Sequence, residues 1–373
     1  MKRFESGTRS TLAAIADVRD LVLDLALEKS VEAGRCRHWD IKHNNIVLLH
    51  HLGPWLHRKA QALISSGLPP ELADAFKGSF RSSVAACLAR EAALRRILPL
   101  FSSSRAPVIL LKGLYLQEHV YEDPALRPMC DVDFLVRSED FARAQQVLEK
   151  AGLRALVEFP RTYPEVLLTV VPYSRPGSFE PPVDLHRGVR LLDSYIIDPV
   201  QLWSDAVAGA IHGQEVLFLS PEMNFIHLGM HSLTHGALVR DYLDLLVIIR
   251  RAGLDWDRLL SLARSLRVER PLYWILRALH RLANEHIPVE AISSLEAYRP
   301  RWIEDRVIRS PISRLWGVLS RFSLIDRWDE RLSYLRFLMF PPRPCSGSPT
   351  GPPSRRAYFA SKLDSITRLL NQR

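Results

Sequence analysis

In LRPMCDVDFLVRSED, residues 126–140, two aspartates stand one residue apart inside an apolar run. Residues i and i+2 of a strand share a face. Asp131 and Asp133 therefore project together, while Val132 and Phe134 face a core. Buried carboxylates are costly without compensating cations, and two that close repel and raise one pKa. A divalent cation between them removes the conflict, and Mg²⁺ takes carboxylate oxygens together with substrate phosphates. Taken alone, Asp-x-Asp is a weak signal, since it also occurs on exposed strand edges. Two further segments favour the metal reading. Lys112-Gly113 closes the apolar run VILLKG, with Gly113 eighteen residues before Asp131. A Gly turn at a helix N-terminus offers N–H groups to a phosphate, and Lys112 adds a cation; a plain strand-to-helix turn is the alternative. Asp184, in PPVDLHRGV, can bring a third carboxylate from another strand. Together they would make a two-metal clamp. One ion activates an attacking hydroxyl, and the other holds a triphosphate and its leaving group.

These residues need a sheet to hold them. The first hundred residues carry apolar positions at helical spacing in three runs, the second broken at Gly53-Pro54. The texture changes near Ala106. APVILLKG predicts a strand and turn, LYLQEHVYED a short helix and RPMCDVDFLV a second strand. SEDFARAQQVLEKAG predicts a helix capped by Ser138 and ended by Gly152. EVLLTVVPYS and PPVDLHRGV predict further strands. From Pro221 the pattern is helical again, with Gly253 ending one helix and Asp255 capping the next. The expected organisation is a helical region over 1–104, an α/β core over 105–205 and a helical bundle over 206–340. A linker rich in Pro, Ser and Gly over 341–356 and a final helix over 357–373 follow.

Composition excludes several classes. With 47% apolar and 24% charged residues, the 373-residue chain reads as globular. No apolar run approaches the roughly 20 residues of a membrane span, and no signal core follows MKRFESGTRS. We expect a soluble, cytoplasmic protein with no membrane partner. Cys36, Cys87, Cys130 and Cys345 are scattered, which predicts neither a disulfide framework nor a cysteine-based zinc site. The net charge of +9 is uneven: residues 250–373 hold 23 Lys+Arg against 12 Asp+Glu. Dispersed arginines on solvated helix faces explain this; a nucleic-acid surface is the other reading.

The combination of motifs resembles a known family. The pattern Lys112-Gly113, then Tyr121-x-Asp123-Pro124-x-x-Arg127-Pro128-Met129, then Asp131-x-Asp133, a helix ending at Gly152 and a later Asp184-Leu185-His186 is similar to the uncharacterised nucleotidyltransferase family of bacteria. That family is a branch of the DNA polymerase beta-type superfamily, and the resemblance spans about residues 40–340. It implies an α/β (α+β) fold: a small mixed-sheet, polymerase-beta-like core flanked by N- and C-terminal helical domains. It also implies the chemistry: a hydroxyl attacks the α-phosphate of an NTP, pyrophosphate leaves, and an NMP is transferred. Asp131, Asp133 and Asp184 would hold two Mg²⁺ ions, or Mn²⁺, with Asp184 helping to deprotonate the acceptor. Most members of the wider superfamily have Gly-Ser or Gly-Gly in the first turn, whereas this chain has Lys-Gly. Lys112, Gly113, Arg127 and His186 are thus the candidates for nucleotide contact, with ATP the expected donor. Arg127 paired with Asp123 or Glu122 is the structural alternative.

His227, His231 and His235 recur every fourth residue on one helix. The outer two lie about 12 Å apart at 1.5 Å per residue, too far for one metal, so a helix face packed toward the core is expected. Asp244, in an apolar helix, requires a partner, expected to be a histidine or arginine from the bundle. The acceptor is open: a small molecule, sugar, peptide or protein. Two rivals remain: a non-catalytic nucleotide-binding or interaction protein, and an RNA-modifying nucleotidyltransferase.

Overall fold

The computed structural model describes residues 2–156, 170–191, 195–235 and 238–299, with Trp328, Arg331 and Leu332. The 341–356 linker and the final helix expected over 357–373 lie outside these residues.

Five helices come first: α1 (Lys2–Ala26), α2 (Ile41–Leu49), α3 (Gly53–Arg58), α4 (Ala60–Ser65) and α5 (Pro70–Ser104). The break expected at Gly53-Pro54 is present. The chain leaves α2 through His51 at φ +54°, and Pro54 opens α3, where its missing N–H has no partner to lose. Next come β1 (Ile109–Leu110), α6 (Gly113–Tyr115), which runs into one π-turn over Leu116–Val120, β2 (Val132–Leu135) and α7 (Phe141–Lys150). Ser138 opens a 3₁₀ turn before α7, and no side chain caps it. The N-cap role expected of Ser138 is therefore not fulfilled, because that turn supplies the entry to the helix. Gly152, at φ +83°, follows the helix end as expected.

The sheet is completed by β3 (Arg154–Ala155), β4 (Val170–Ser174) and β5 (Val183–His186). A separate pair, β6 (Arg190–Leu191) and β7 (Tyr195–Ile196), and helix α8 (Pro199–Asp205) follow. Then β8 (Val207–Ile211) and β9 (Gln214–Phe218) form a hairpin inside a stretch expected to be helical. His212 (φ +50°) and Gly213 (φ +77°) make its two-residue turn, the backbone form that matches strand twist. The remaining helices are α9 (Pro221–His235), α10 (Val239–Arg251), α11 (Trp256–Leu266), α12 (Glu269–Leu282) and α13 (Val289–Ser293). Asp255 caps α11 as expected, accepting from the Arg258 N–H at 3.0 Å.

The seven strands run in the order β3-β4-β5-β2-β1-β9-β8. Two neighbours are parallel, β2 with β5 and β1 with β9; the other pairs are antiparallel. The mixed sheet between helices matches the α/β expectation. Every residue of β2 is buried, which suits a central strand covered on both faces. Phe134 turns away from the aspartates and meets Phe101 of α5 edge to face, with ring centroids 5.4 Å apart. No helix among the described residues is long and apolar enough to cross a membrane.

Phe134 is fully buried, so Phe134→Ala should lower stability by about 3–5 kcal/mol through lost burial and the cavity left behind. Urea unfolding should show a lower midpoint with an unchanged slope.

Candidate active site

β2 and β5 lie parallel and in register, with Asp133 opposite Asp184 and Leu135 opposite His186. The period of two then sorts the side chains. Val132, Phe134, Val183 and Leu185 share one face; Asp133, Asp184 and His186 share the other. β1 delivers the cation. The Leu111 N–H donates to the Asp133 carbonyl at 3.1 Å, so Lys112 follows directly beside β2. The Lys112 Nζ lies 3.1 Å from Asp133 Oδ1, and His186 Nε2 lies 2.8 Å from the same oxygen. Asp133 is only 3% exposed. Burial pushes its carboxyl up, but the Lys112 ammonium and the His186 ring outweigh that and hold it far below the usual carboxylate range. Its neighbours behave oppositely. Burial, then the Asp133 charge, raises both Asp131 and Asp184.

The turn after β1 has an unusual backbone. Lys112 sits at φ +47°, ψ −107°, a conformation that costs a non-glycine residue of order 1–3 kcal/mol. Gly113 follows with no room for a side chain. A Cβ there would meet Met129 Cε at 2.7 Å and Arg127 Nη1 at 2.8 Å.

The segment Tyr121–Met129 has a structural account. Asp123 accepts from the Ala125 N–H at 2.8 Å and caps the 3₁₀ turn that Pro124 opens. Gln117 donates to the Pro124 and Arg127 carbonyls, and Ser83 of α5 donates to that of Ala125. Arg127 pairs with neither Asp123 nor Glu122. Its Nη2 and Nε donate to Asp244 Oδ2 at 3.0 and 3.2 Å, and the Tyr121 hydroxyl donates to Asp244 Oδ1 at 2.7 Å. Asp244 thus has an arginine partner, but from this loop rather than from the helical bundle, because the loop packs across onto α10. Burial, then the Asp244 charge, pushes the Tyr121 phenol far up, so it remains a donor.

Lys112, Gly113, Arg127, Asp131 and Asp133 line one cavity of about 180 Å³. Asp184 and His186 adjoin it through Asp133. The opposite wall comes from α9 and α10, with Leu228, His231, Arg240 and Asp241 among its residues, and His51 also lines the cavity. Arg240 Nε is buried and has no hydrogen-bond partner. His227 is buried; burial, then the Lys112 charge, drives its pKa far down, so it is neutral. The expected packing of the histidine face toward the core therefore holds for His227 and His231. Sequence reading missed His51 and Arg240. Both lie where helices meet the cleft, and helical spacing does not show which face that is. Asp133, Asp184 and His186 bring ligand atoms within 4.8 Å of one another. The carboxylate oxygens are hard donors, and the Asp133 charge, which adds to burial in raising Asp131 and Asp184, is what a divalent cation would offset. The residues fit such an ion.

The family model described as "Uncharacterised nucleotidyltransferase" matches residues 45–284. The chain belongs to this nucleotidyltransferase family. It is a transferase of nucleotidyl groups, and the fold and activity implied by its motifs agree with that membership. Two solved structures of the antibiotic-resistance factor ANT(2'')-Ia are similar to this nucleotidyltransferase. The solution structure is 14% identical with a TM-score of 0.35, covering 51% of this chain and 96% of that one. The crystal structure with adenylyl-2''-tobramycin is 12% identical with a TM-score of 0.34, covering 48% and 96%. Comparison with curated proteins gives no match.

Removing Asp244 strands a buried guanidinium. Asp244→Ala should cost about 3–5 kcal/mol, whereas Arg127→Met/Asp244→Leu should recover most of it, since no unpaired charge remains. Thermal unfolding of the two variants separates these effects.

Proposed function

We propose that this enzyme transfers AMP from ATP to a hydroxyl of a small acceptor with a divalent cation, Mg²⁺, held at Asp131, Asp133 and Asp184. The observation that carries the reading is Asp133 beside Asp184 on in-register parallel strands, with Lys112 at the same carboxylate. When bound, the ions neutralise phosphate charge and activate the attacking hydroxyl.

The protein's own groups supply the remainder. Asp184 accepts the acceptor's proton as its oxygen bonds to the α-phosphorus. The bond from that phosphorus to the bridging oxygen breaks, and pyrophosphate departs with both electrons. Lys112 and the Gly113 N–H face the phosphates. Arg127 is tied to Asp244 and is only 11% exposed, so we assign it to positioning the loop. Arg240, on the opposite wall, is the stronger candidate for the triphosphate. His186 orients Asp133 rather than touching the nucleotide. The acceptor side is the α9–α10 wall, where His231 and Asp241 offer polar contacts. ATP is the donor to test first because it is abundant in cells.

The test measures binding of each NTP with and without Mg²⁺, to the wild type and to Asp131→Ala/Asp133→Ala. Metal-dependent ATP binding that the double variant loses is the expected result. Equal binding without metal overturns the assignment, and a steep loss of RNA affinity with salt would move the acceptor to nucleic acid. Once an acceptor is found, Asp133→Asn should lower pyrophosphate release at least about 100-fold, the scale of losing one charge-stabilising group. Circular dichroism should show the fold retained.

A further inference from the structure

A second cluster of ligating groups lies outside the cleft, where α1, the loop before α2 and α2 itself meet. Asp17 of α1, His38 of the loop and His43 of α2 bring one ligand atom each to within 4.8 Å of one another. His38 Nε2 is 3.2 Å from Asp17 Oδ2, and His43 Nε2 is 3.6 Å from the same oxygen. We propose that these three side chains bind a divalent transition-metal ion of the zinc class, which fastens α1 to α2.

Four observations support it. First, the separations suit an ion. Ligands at about 2.0–2.2 Å from a tetrahedral centre stand roughly 3.3–3.6 Å apart, whereas 3.6 Å is too long for a direct hydrogen bond. Second, His43 Nε2 is buried with no hydrogen-bond partner, a cost that native structures rarely carry unexplained. Third, the ring is held with that nitrogen aimed at Asp17. His43 Nδ1 lies 2.9 Å from Asp40 Oδ1, and Trp39 stacks on the ring at 5.2 Å. The same Nδ1 is also 3.1 Å from the Asp40 backbone N; an ion on Nε2 selects the tautomer in which Nδ1–H donates to the Asp40 carboxylate, the outer-shell partner that raises the basicity of a ligating histidine. Fourth, the donor set selects the metal. Two imidazoles and one carboxylate suit zinc and its neighbours and are poor ligands for Mg²⁺. The Asp17 and His38 side chains are 45% and 59% exposed, which leaves the fourth position to water.

The site also has a mechanical consequence. α1 packs on both α2 and α10, and α10 carries Arg240, Asp241 and Asp244. A metal joining α1 to α2 thus braces the helix that forms the cleft's far wall.

Zinc content of the tag-free full chain, read by chelator competition, tests the proposal, with cobalt(II) substitution to report geometry. The wild type should hold one zinc equivalent more than His38→Ala or Asp17→Asn. It should also show the visible bands of tetrahedral cobalt, which both variants lose. Asp40→Asn should weaken the metal by about 10–100-fold. Zinc should raise the melting temperature of the wild type and not that of His38→Ala. Both substituted side chains are substantially exposed, and His38→Gln replaces any variant that loses its helical circular dichroism. Equal zinc content in the wild type and both variants overturns the proposal. So does zinc lost on Asp131→Ala/Asp133→Ala but retained on His38→Ala, which would place the ion in the cleft.

Discussion

The arrangement rests on keeping one buried carboxylate charged. Asp133 lies on the central strand of the sheet, almost without solvent, where an isolated charge is not tolerated. Lys112 and His186 reach the same oxygen from the neighbouring strand ends on either side, and this decides much else. The chain must turn sharply at the end of β1 so that Lys112 faces β2, which accounts for its positive φ. Gly113 must follow, because Arg127 and Met129 occupy the space a Cβ would need. Part of the stability of the core is thereby given up to pre-form a charged site.

A second buried charge fastens the sheet to the helices. Arg127, Tyr121 and Asp244 form a closed set in which one carboxylate accepts from a guanidinium and a phenol. Most of the motif Tyr-x-Asp-Pro-x-x-Arg serves this connection: Asp123 and Pro124 shape the turn that aims Arg127 at α10. Such pairs add little net stability compared with apolar packing, but losing one partner is costly. The interaction therefore acts as a register mark. It fixes α10, and with it Arg240 and Asp241, at a set place across the cavity from Asp131 and Asp133.

The cleft thus draws on three parts of the chain: two short strands with their turn, the loop after α6 and the α9–α10 wall. None of them holds the site alone. Asp133 and Asp184 lie on strands, whereas Arg240 and Asp241 on the opposite wall lie on a helix.

Much of this was legible in local sequence. Alternation in Val132–Leu135 and Val183–His186 settles which side chains share a face, because the two-residue period belongs to the strand whatever its partner. The break at Gly53-Pro54, the Gly152 helix end and the Asp255 cap are likewise backbone chemistry of a few neighbouring residues. The tertiary structure alone decided the pairings across distance. It set Asp133 opposite Asp184, took Arg127 to a carboxylate 117 residues away rather than one in its own loop, and added the β8–β9 hairpin to the sheet. It also gathered Asp17, His38 and His43. Each of these depends on which buried surfaces meet and which charges must then be compensated, and that is a property of the packed chain rather than of any segment.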